Sequence, residues 1–367
     1  MYIITKILVI GSNTRAISKS LKQLGYTVYA TSFFDLIDQR TFVDRFIVPL
    51  DFYDFDLKIL EDLALDYVNE VDYIIASSDI NISRFPKSKV IGNYDTEPIN
   101  NKYKMYKKLY KNFLLPETYK LNNINEAFEI VNNYPDKKYI VKPIYGSGGL
   151  NIDYFDKNSS INSDFLLQEY IKGNSVSSSF VSYHDNHSID MLAVSDQIIG
   201  SKRLGANSDF IYCGNITPFI NYNPKILNIS TKISKMFKLV GLNGIDFILH
   251  NNNVYVIEVN PRIPGSFESI ENSFGINPVE SHINSYNNIR LNQIKPNKFT
   301  VKLIPYSVND SYYKLSNINN IRDICHDNFL IKKGFPIATI LISDRILENA
   351  MIKSEIVLKQ VLNSKKV

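Results

Sequence analysis

Residues 241–265, GLNGIDFILHNNNVYVIEVNPRIPG, constrain this chain more than any other stretch. Two runs rich in β-branched and large apolar residues, 245–249 and 254–259, flank Asn251-Asn252-Asn253. Asparagine tolerates the left-handed backbone of a tight turn, so the pattern predicts two antiparallel strands. Polar residues break the apolar strands at Asp246, Glu258 and Asn260, and Arg262 follows just beyond. Two carboxylates and an amide on neighbouring strands offer the oxygen ligands that a hard cation such as Mg²⁺ prefers. That ion commonly shares its shell with a substrate phosphate. An edge hairpin with solvated polar residues accounts for the same letters, so the choice turns on whether the rest of the chain holds a phosphate.

At 367 residues the chain exceeds one small core, and two or three domains are expected. A content of 44% hydrophobic and 12% aromatic residues suffices for packed cores. Forty-one basic against 37 acidic residues leave a net charge of +4, scattered along the chain. That balance argues against a nucleic-acid partner and suits an anionic ligand. Cys213 and Cys325 stand far apart with no CxxC spacing, as expected of a reduced, cytoplasmic protein without a zinc site. The apolar residues 1–10 are interrupted by Lys6 and lack a signal-peptide cleavage site. No run approaches the roughly 18 apolar residues of a membrane span, so no membrane partner is expected.

Residues 5–30 read as strand, loop, helix and strand, and a helix over 57–68 leads into a strand over 72–76. This alternation predicts a doubly wound, Rossmann-like domain over residues 1–98. Its first turn, Gly11-Ser12-Asn13-Thr14-Arg15, lies where such sheets bind ligands but has a single glycine, which disfavours a dinucleotide. A substrate contact through Asn13, Thr14 or Arg15 fits this turn, and so does helix capping by Asn13 or Thr14. A basic amphipathic helix follows over 101–115, ended by Pro116. Another over 124–132 leads to a strand over 139–142 and then to Lys142-Pro143-Ile144-Tyr145-Gly146-Ser147-Gly148-Gly149. A lysine at a strand end before a glycine-rich loop can wrap polyphosphate with bare N–H groups and a point charge. It is no Walker loop, because no GK[ST] follows, and a hairpin turn has the same composition.

Residues 165–173, FLLQEYIKG, form a strand able to present backbone groups to the edge of a base. Strands over 176–181 and 191–194 enclose a loop with His184 and His187, which reads as solvated for want of further metal-ligating side chains. The polar loop 205–218, after Lys202 and Arg203, is a lid candidate. Beyond the hairpin come a helix over 267–286 interrupted at Gly275, strands over 301–308 and 334–342, and a helix over 344–362 capped by Ser343 or Asp344. Residues 291–367 are thus expected to form a small α+β element. Its apolar tail helix is the one feature that points to a homodimer.

The order KPxxGSGG, QEYIxG and ExNPR, after a doubly wound domain and an Asn101-Lys102 helix start, resembles the ATP-grasp superfamily over residues 5–290. The pattern is similar to the archaeal and bacterial predicted ATP-dependent carboligases related to biotin carboxylase. The resemblance implies an ATP-grasp fold over 99–290, in which two α+β lobes clasp ATP, with a mobile lobe over about 112–185. By matched position it implies that Lys102, or alternatively Lys104, and Lys142 bind phosphate. Gly146, Ser147, Gly148 and Gly149 would cover the β- and γ-phosphates. Gln168, Glu169, Tyr170 and Ile171 would form the hinge, with the backbone of Tyr170 and Ile171 at the adenine edge. Ser175 stands where relatives often place a ribose-binding acid. Asp246, Glu258 and Asn260 would hold Mg²⁺, or Mn²⁺, and Arg262 with Lys142 would act on the transferred phosphate.

The activity implied is an ATP- and Mg²⁺-dependent ligase that converts a small-molecule carboxylate to an acyl phosphate and joins it to an amine. The acceptor pocket would draw on residues 13–15 and 266–271. Two other readings are a bicarbonate-using, carbamoyl-phosphate-type carboligase and a non-catalytic ATP-binding protein. Against the first, Ile263-Pro264-Gly265-Ser266-Phe267-Glu268 stands where biotin carboxylases carry a Gln-Val-Glu-His run.

Overall fold

The run KILVI becomes a strand with its last four residues buried, β1 (Lys6–Ile10), in the computed structural model. The structure describes residues 5–50, 55–156, 159, 165–220, 223–292 and 295–366, so part of the apolar 1–10 run lies outside it. α1 (Arg15–Gln23), β2 (Thr27–Thr31), β3 (Arg45–Ile47), α2 (Leu57–Leu65) and β4 (Tyr73–Ala76) follow. The strands pair in parallel in the order β3-β2-β1-β4, a doubly wound arrangement. α1 buries Ile17 and Leu21 against Ile7, Val9, Val28 and Ile75 of this sheet. The three-residue β3 has no fully buried side chain and therefore gave no apolar signal in the sequence. Thr14 makes no side-chain cap; Asn13 Oδ1 instead accepts from the Arg15 amide at 3.0 Å.

α3 (Glu97–Asn100) and α4 (Lys102–Leu109) follow, the latter capped by Asn101, whose Oδ1 accepts from the Lys104 amide. α4 ends before Pro116 because the chain unwinds to let the Leu114 carbonyl accept from the Val256 amide at 2.9 Å. Next come β5 (Thr118–Leu121), α5 (Ile124–Asn133), β6 (Tyr139–Pro143), β7 (Asp153–Tyr154) and β8 (Phe165–Glu169). They form an antiparallel sheet of order β5-β8-β6-β7 with its own core of Leu121, Ala127, Tyr139, Phe165 and Leu167.

The largest sheet among the described residues is built from β9 (Asn174–Ser182), β10 (Ile189–Ile199), β11 (Tyr212–Thr217), β12 (Gly241–His250) and β13 (Asn253–Asn260), together with three later strands. α6 (Lys225–Phe237), α7 (Phe267–Phe274) and α8 (Pro278–Tyr286) pack on it, and Gly275 at φ 67° separates the last two helices as expected. The C-terminal residues supply β14 (Phe299–Leu303), β15 (Ile321–Arg322), β16 (Thr339–Asp344) and α9 (Leu347–Asn363). The full order is β13-β12-β9-β10-β11-β14-β16-β15, so the C-terminal element continues the central sheet through the β11–β14 pairing. β14 and β16 are shorter than their apolar runs, whose remaining residues pack as irregular chain. Neither Ser343 nor Asp344 caps α9; Asp344 Oδ1 accepts from the Ile346 amide just before it.

Candidate active site

Asp246 and Glu258 face each other across the β12–β13 pair, and the register shifts immediately after them. That β-bulge places two consecutive residues of β13 against one of β12. Val256 and Val259 both stay in the core, while Ile257, Glu258 and Asn260 line a cavity of about 720 Å³. Asn251 and Asn252 take φ of 45° and 64°, the left-handed backbone that closes the hairpin. The cavity is also walled by β6, the residues after β8, and the 209–212 segment.

Charge is unevenly distributed here. Lys102 enters from the first turn of α4 with Nζ 2.9 Å from Glu258 Oε1, and it donates to the Gly146 carbonyl as well. Lys142 enters from β6; the two lysines are only 6% and 5% exposed. Burial first, and then the Lys102 charge, lower the Lys142 ammonium to about 8. Burial works to raise the Glu258 carboxyl, but Lys102, Lys142 and Arg262 outweigh it and hold it below its ordinary value. Asp246 is pushed up to about 6, by burial and then by Glu258. Lys102 thus neutralises Glu258, whereas neither Lys142 nor Asp246 makes an ion pair of its own among the described residues.

The donor set fits Mg²⁺. Asp246 and Glu258 offer carboxylate oxygens, and Asn260 an amide oxygen that now accepts from Arg262 Nη1 at 2.6 Å. Gln197 Nε2 and Asn260 Nδ2 donate to the two Asp246 oxygens at 2.9 and 3.0 Å, which fixes that carboxylate. No group of three or more His, Cys, Asp or Glu suited to a metal occurs among the described residues. Mg²⁺ needs no such cage where phosphate and water complete its shell.

Most of the side chains expected in the site converge on this cavity. Arg262 lines it and is held from behind by Asp79 Oδ1 at 3.1 Å. Lys104, the alternative first lysine, lies on the outer face and pairs with Glu97 at 2.8 Å. Ser147, Gly148 and Gly149 line the cavity, while Gly146 meets Lys102 through its carbonyl. Tyr212 donates its amide to the Gly148 carbonyl at 3.1 Å, and a Cβ on Gly149 would stand 1.8 Å from the Phe210 carbonyl oxygen. In the hinge, Gln168 Nε2 donates to Thr118 Oγ1 at 2.8 Å and Glu169 lies 3.4 Å from Lys137 Nζ. The Tyr170 amide donates to the Lys138 carbonyl at 2.7 Å, so the backbone group this residue can offer a base is its carbonyl. Ser175 lines the cavity and donates to Gln197 Oε1 at 2.8 Å.

The far end of the cavity is formed by Asn13 and Arg15, by Ser266, Phe267 and Glu268, and by Lys302, Asp323 and Thr339. Thr14 turns away to accept from Gln39 at 2.5 Å, and Glu271 pairs with Lys19 at 3.3 Å outside the cavity lining. His187 Nδ1 meets the Leu239 carbonyl at 3.1 Å, and His184 packs beside Tyr286. Sequence reasoning missed Asp79, Gln197, Tyr212, Lys302 and Asp323. Only Asp79 carried a usable signal, since it follows the carboxyl end of a parallel strand, where ligands of open sheets bind.

The description of an ATP-grasp domain matches residues 99–266 of the chain. An uncharacterized protein of Methanocaldococcus jannaschii is 34% identical, over 93% of this chain and 89% of its own length. A tyramine–L-glutamate ligase of the same organism is 28% identical, over 71% of this chain and 80% of its own. Among solved structures, N5-carboxyaminoimidazole synthetase from Staphylococcus aureus complexed with ADP superposes with a TM-score of 0.71 at 14% identity. That match covers 96% of this chain and 97% of the other, and at such identity it speaks for the fold.

Proposed function

Because the chain belongs to the ATP-grasp family, we propose that it activates the carboxylate of a small molecule with ATP and joins it to an amine. The observation that carries this is that buried Lys102 and Lys142 and the Asp246–Glu258 carboxylates line one cavity, with only Lys102 and Glu258 paired. A phosphate chain between them gives Lys142 an anion and brings a cation to Asp246.

The chemistry is then an in-line transfer. A substrate carboxylate oxygen attacks the γ-phosphorus, the bond to the ADP oxygen breaks, and an acyl phosphate forms. The amine nitrogen next attacks the acyl carbon, phosphate leaves, and the nitrogen proton passes to solvent. Lys142 and Lys102 hold the phosphates, and Arg262 faces the transferred group and the acyl phosphate after it. Ser147, Gly148 and Gly149 close over the phosphates and exclude water. Gln168, Glu169, Tyr170 and Ile171 surround the base, and Ser175 with Gln197 lies toward the ribose. Asp246, Glu258 and Asn260 hold Mg²⁺, or Mn²⁺ of similar ligand preference, and the ion supplies charge neutralisation and orientation to the phosphates.

In this reading residues 1–98 are the pre-ATP-grasp domain and 99–290 the ATP-grasp domain, whose lobe over about 112–185 moves. Residues 291–367 form the C-terminal element. The protein is cytoplasmic and a homodimer, a state that light scattering checks; no helix among the described residues is long and apolar enough to cross a membrane. A panel of carboxylates and amines, beginning with L-glutamate and tyramine, is assayed for ADP release with Mg²⁺ or Mn²⁺ and with a chelator. Metal-dependent release that needs both substrates supports ligation. Release that needs bicarbonate supports the carboligase, and MgATP binding without any release supports the non-catalytic alternative.

A further inference from the structure

The far end of the cavity closes only where two distant parts of the chain meet. Asp323 Oδ1 accepts from Asn13 Nδ2 at 2.8 Å and from Arg15 Nε at 2.7 Å. In return Asp38, from the Rossmann-like domain, accepts from the amides of Asp323 and Ile324, both at 3.0 Å. The Ile37 amide donates to the Ile324 carbonyl at 2.8 Å and completes a reciprocal latch. Arg15 is 1% exposed, and its Nη2 reaches Glu268 Oε1 at 2.6 Å at the start of α7. One guanidinium thus ties three segments that line the same end of the cavity.

Asp323 holds φ at 59°, a left-handed conformation that L side chains adopt only at a cost in strain. Its carboxyl is held well below the ordinary range: burial alone would raise it, but the Arg15 charge and hydrogen bond outweigh that. A strained, ionised side chain bonded to a turn that lines the cavity is poorly explained as filler.

We propose that Asp323 is a positioning residue that holds the Asn13–Arg15 turn at the substrate end of the cavity, so that the C-terminal element completes the acceptor site. This rests on the ligase reading only in calling that end the acceptor site; the latch itself does not depend on it. Asp323 acts through Asn13 and Arg15, and neither Tyr212 nor Arg262 belongs to the latch.

Hydrogen exchange on the full chain tests it, with MgADP as the only added ligand. Asp323→Gly removes the carboxylate but relieves the left-handed backbone, so a residue needed only for its backbone would leave exchange unchanged or slower. The expected result is faster exchange at residues 12–16 by about tenfold, the scale of a lost charged hydrogen bond. The 165–171 segment should exchange as before, with MgADP affinity within about twofold of the parent. Asp38→Ala removes the other half of the latch and should loosen residues 12–16 and 321–325 together. It also serves if Asp323→Gly does not fold. No change at 12–16, or a uniform rise across the chain, overturns the proposal. Failure of the parent protein to bind MgADP would count against the ligase reading and leave the exchange comparison standing.

Discussion

Lys102 Nζ stands 2.9 Å from Glu258 Oε1, joining the start of α4 to the hairpin that forms the cavity floor. Lys142 is buried in the same cavity but makes no ion pair of its own, and a phosphate would supply one.

Glu258→Gln keeps the shape of the side chain while removing its charge from Lys102 and the Asp246 pair. Metal-dependent ADP release should fall by at least about a hundredfold, because a metal–phosphate interaction is worth several kcal/mol in the transition state. Circular dichroism should stay that of the parent. A folded variant with near-normal turnover would remove Glu258 from the metal site.

Lys142 gives a pH-dependent signature. Its folded value of about 8 lies below the ordinary 10.5, so its protonated form opposes folding. The opposition is complete below pH 8 and fades as pH rises toward 10.5, and a displacement of that size corresponds to about 3 kcal/mol. Lys142→Met should therefore melt higher than the parent at pH 7 and lose that advantage by pH 10.5, while MgADP affinity at pH 7 falls about tenfold or more. In the parent, nucleotide affinity should decline above pH 8, since phosphate needs the ammonium form. Thermal melts at both pH values and calorimetry check this; an equally tight Met variant would contradict the phosphate role.

Gly149 sits at φ 80° with the Phe210 carbonyl in the place of a Cβ. Gly149→Ala cannot close the loop against the 208–212 segment without shifting backbone. ADP release should drop about tenfold or more, whereas MgADP binding, which also draws on Lys102 and Lys142, should weaken less. Steady-state kinetics beside calorimetry separate the two, and an unchanged rate would show that the contact is not part of closure.

Asp79 orients Arg262 from outside the sequence motif. Asp79→Ala should lower kcat about tenfold with little change in the KM for ATP, because the arginine keeps its bond to Asn260 but loses its second tether. A larger effect on ATP KM than on kcat would place Asp79 in nucleotide binding instead.

The parts whose signal is local are legible from the order of residues alone. The Asn251–Asn252 turn, the parallel strand KILVI and the glycine loop each follow from backbone preferences and apolar periodicity over a few residues. The motif order likewise carried the ATP-grasp family. Asp246, Glu258 and Asn260 were legible because one hairpin presents them together.

Tertiary packing selects which of Lys102 and Lys104 enters the cavity, since one turn of helix faces them in different directions. Only it joined the C-terminal strands to the central sheet and brought Asp323 to Asn13 and Arg15. The β13 bulge that lets Val256 share the buried face with Val259, while Ile257 and Glu258 both line the cavity, is of the same kind. Backbone propensity and period act within a few residues. Charge pairing across hundreds of residues, and the register of one strand on another, depend on how the whole chain packs.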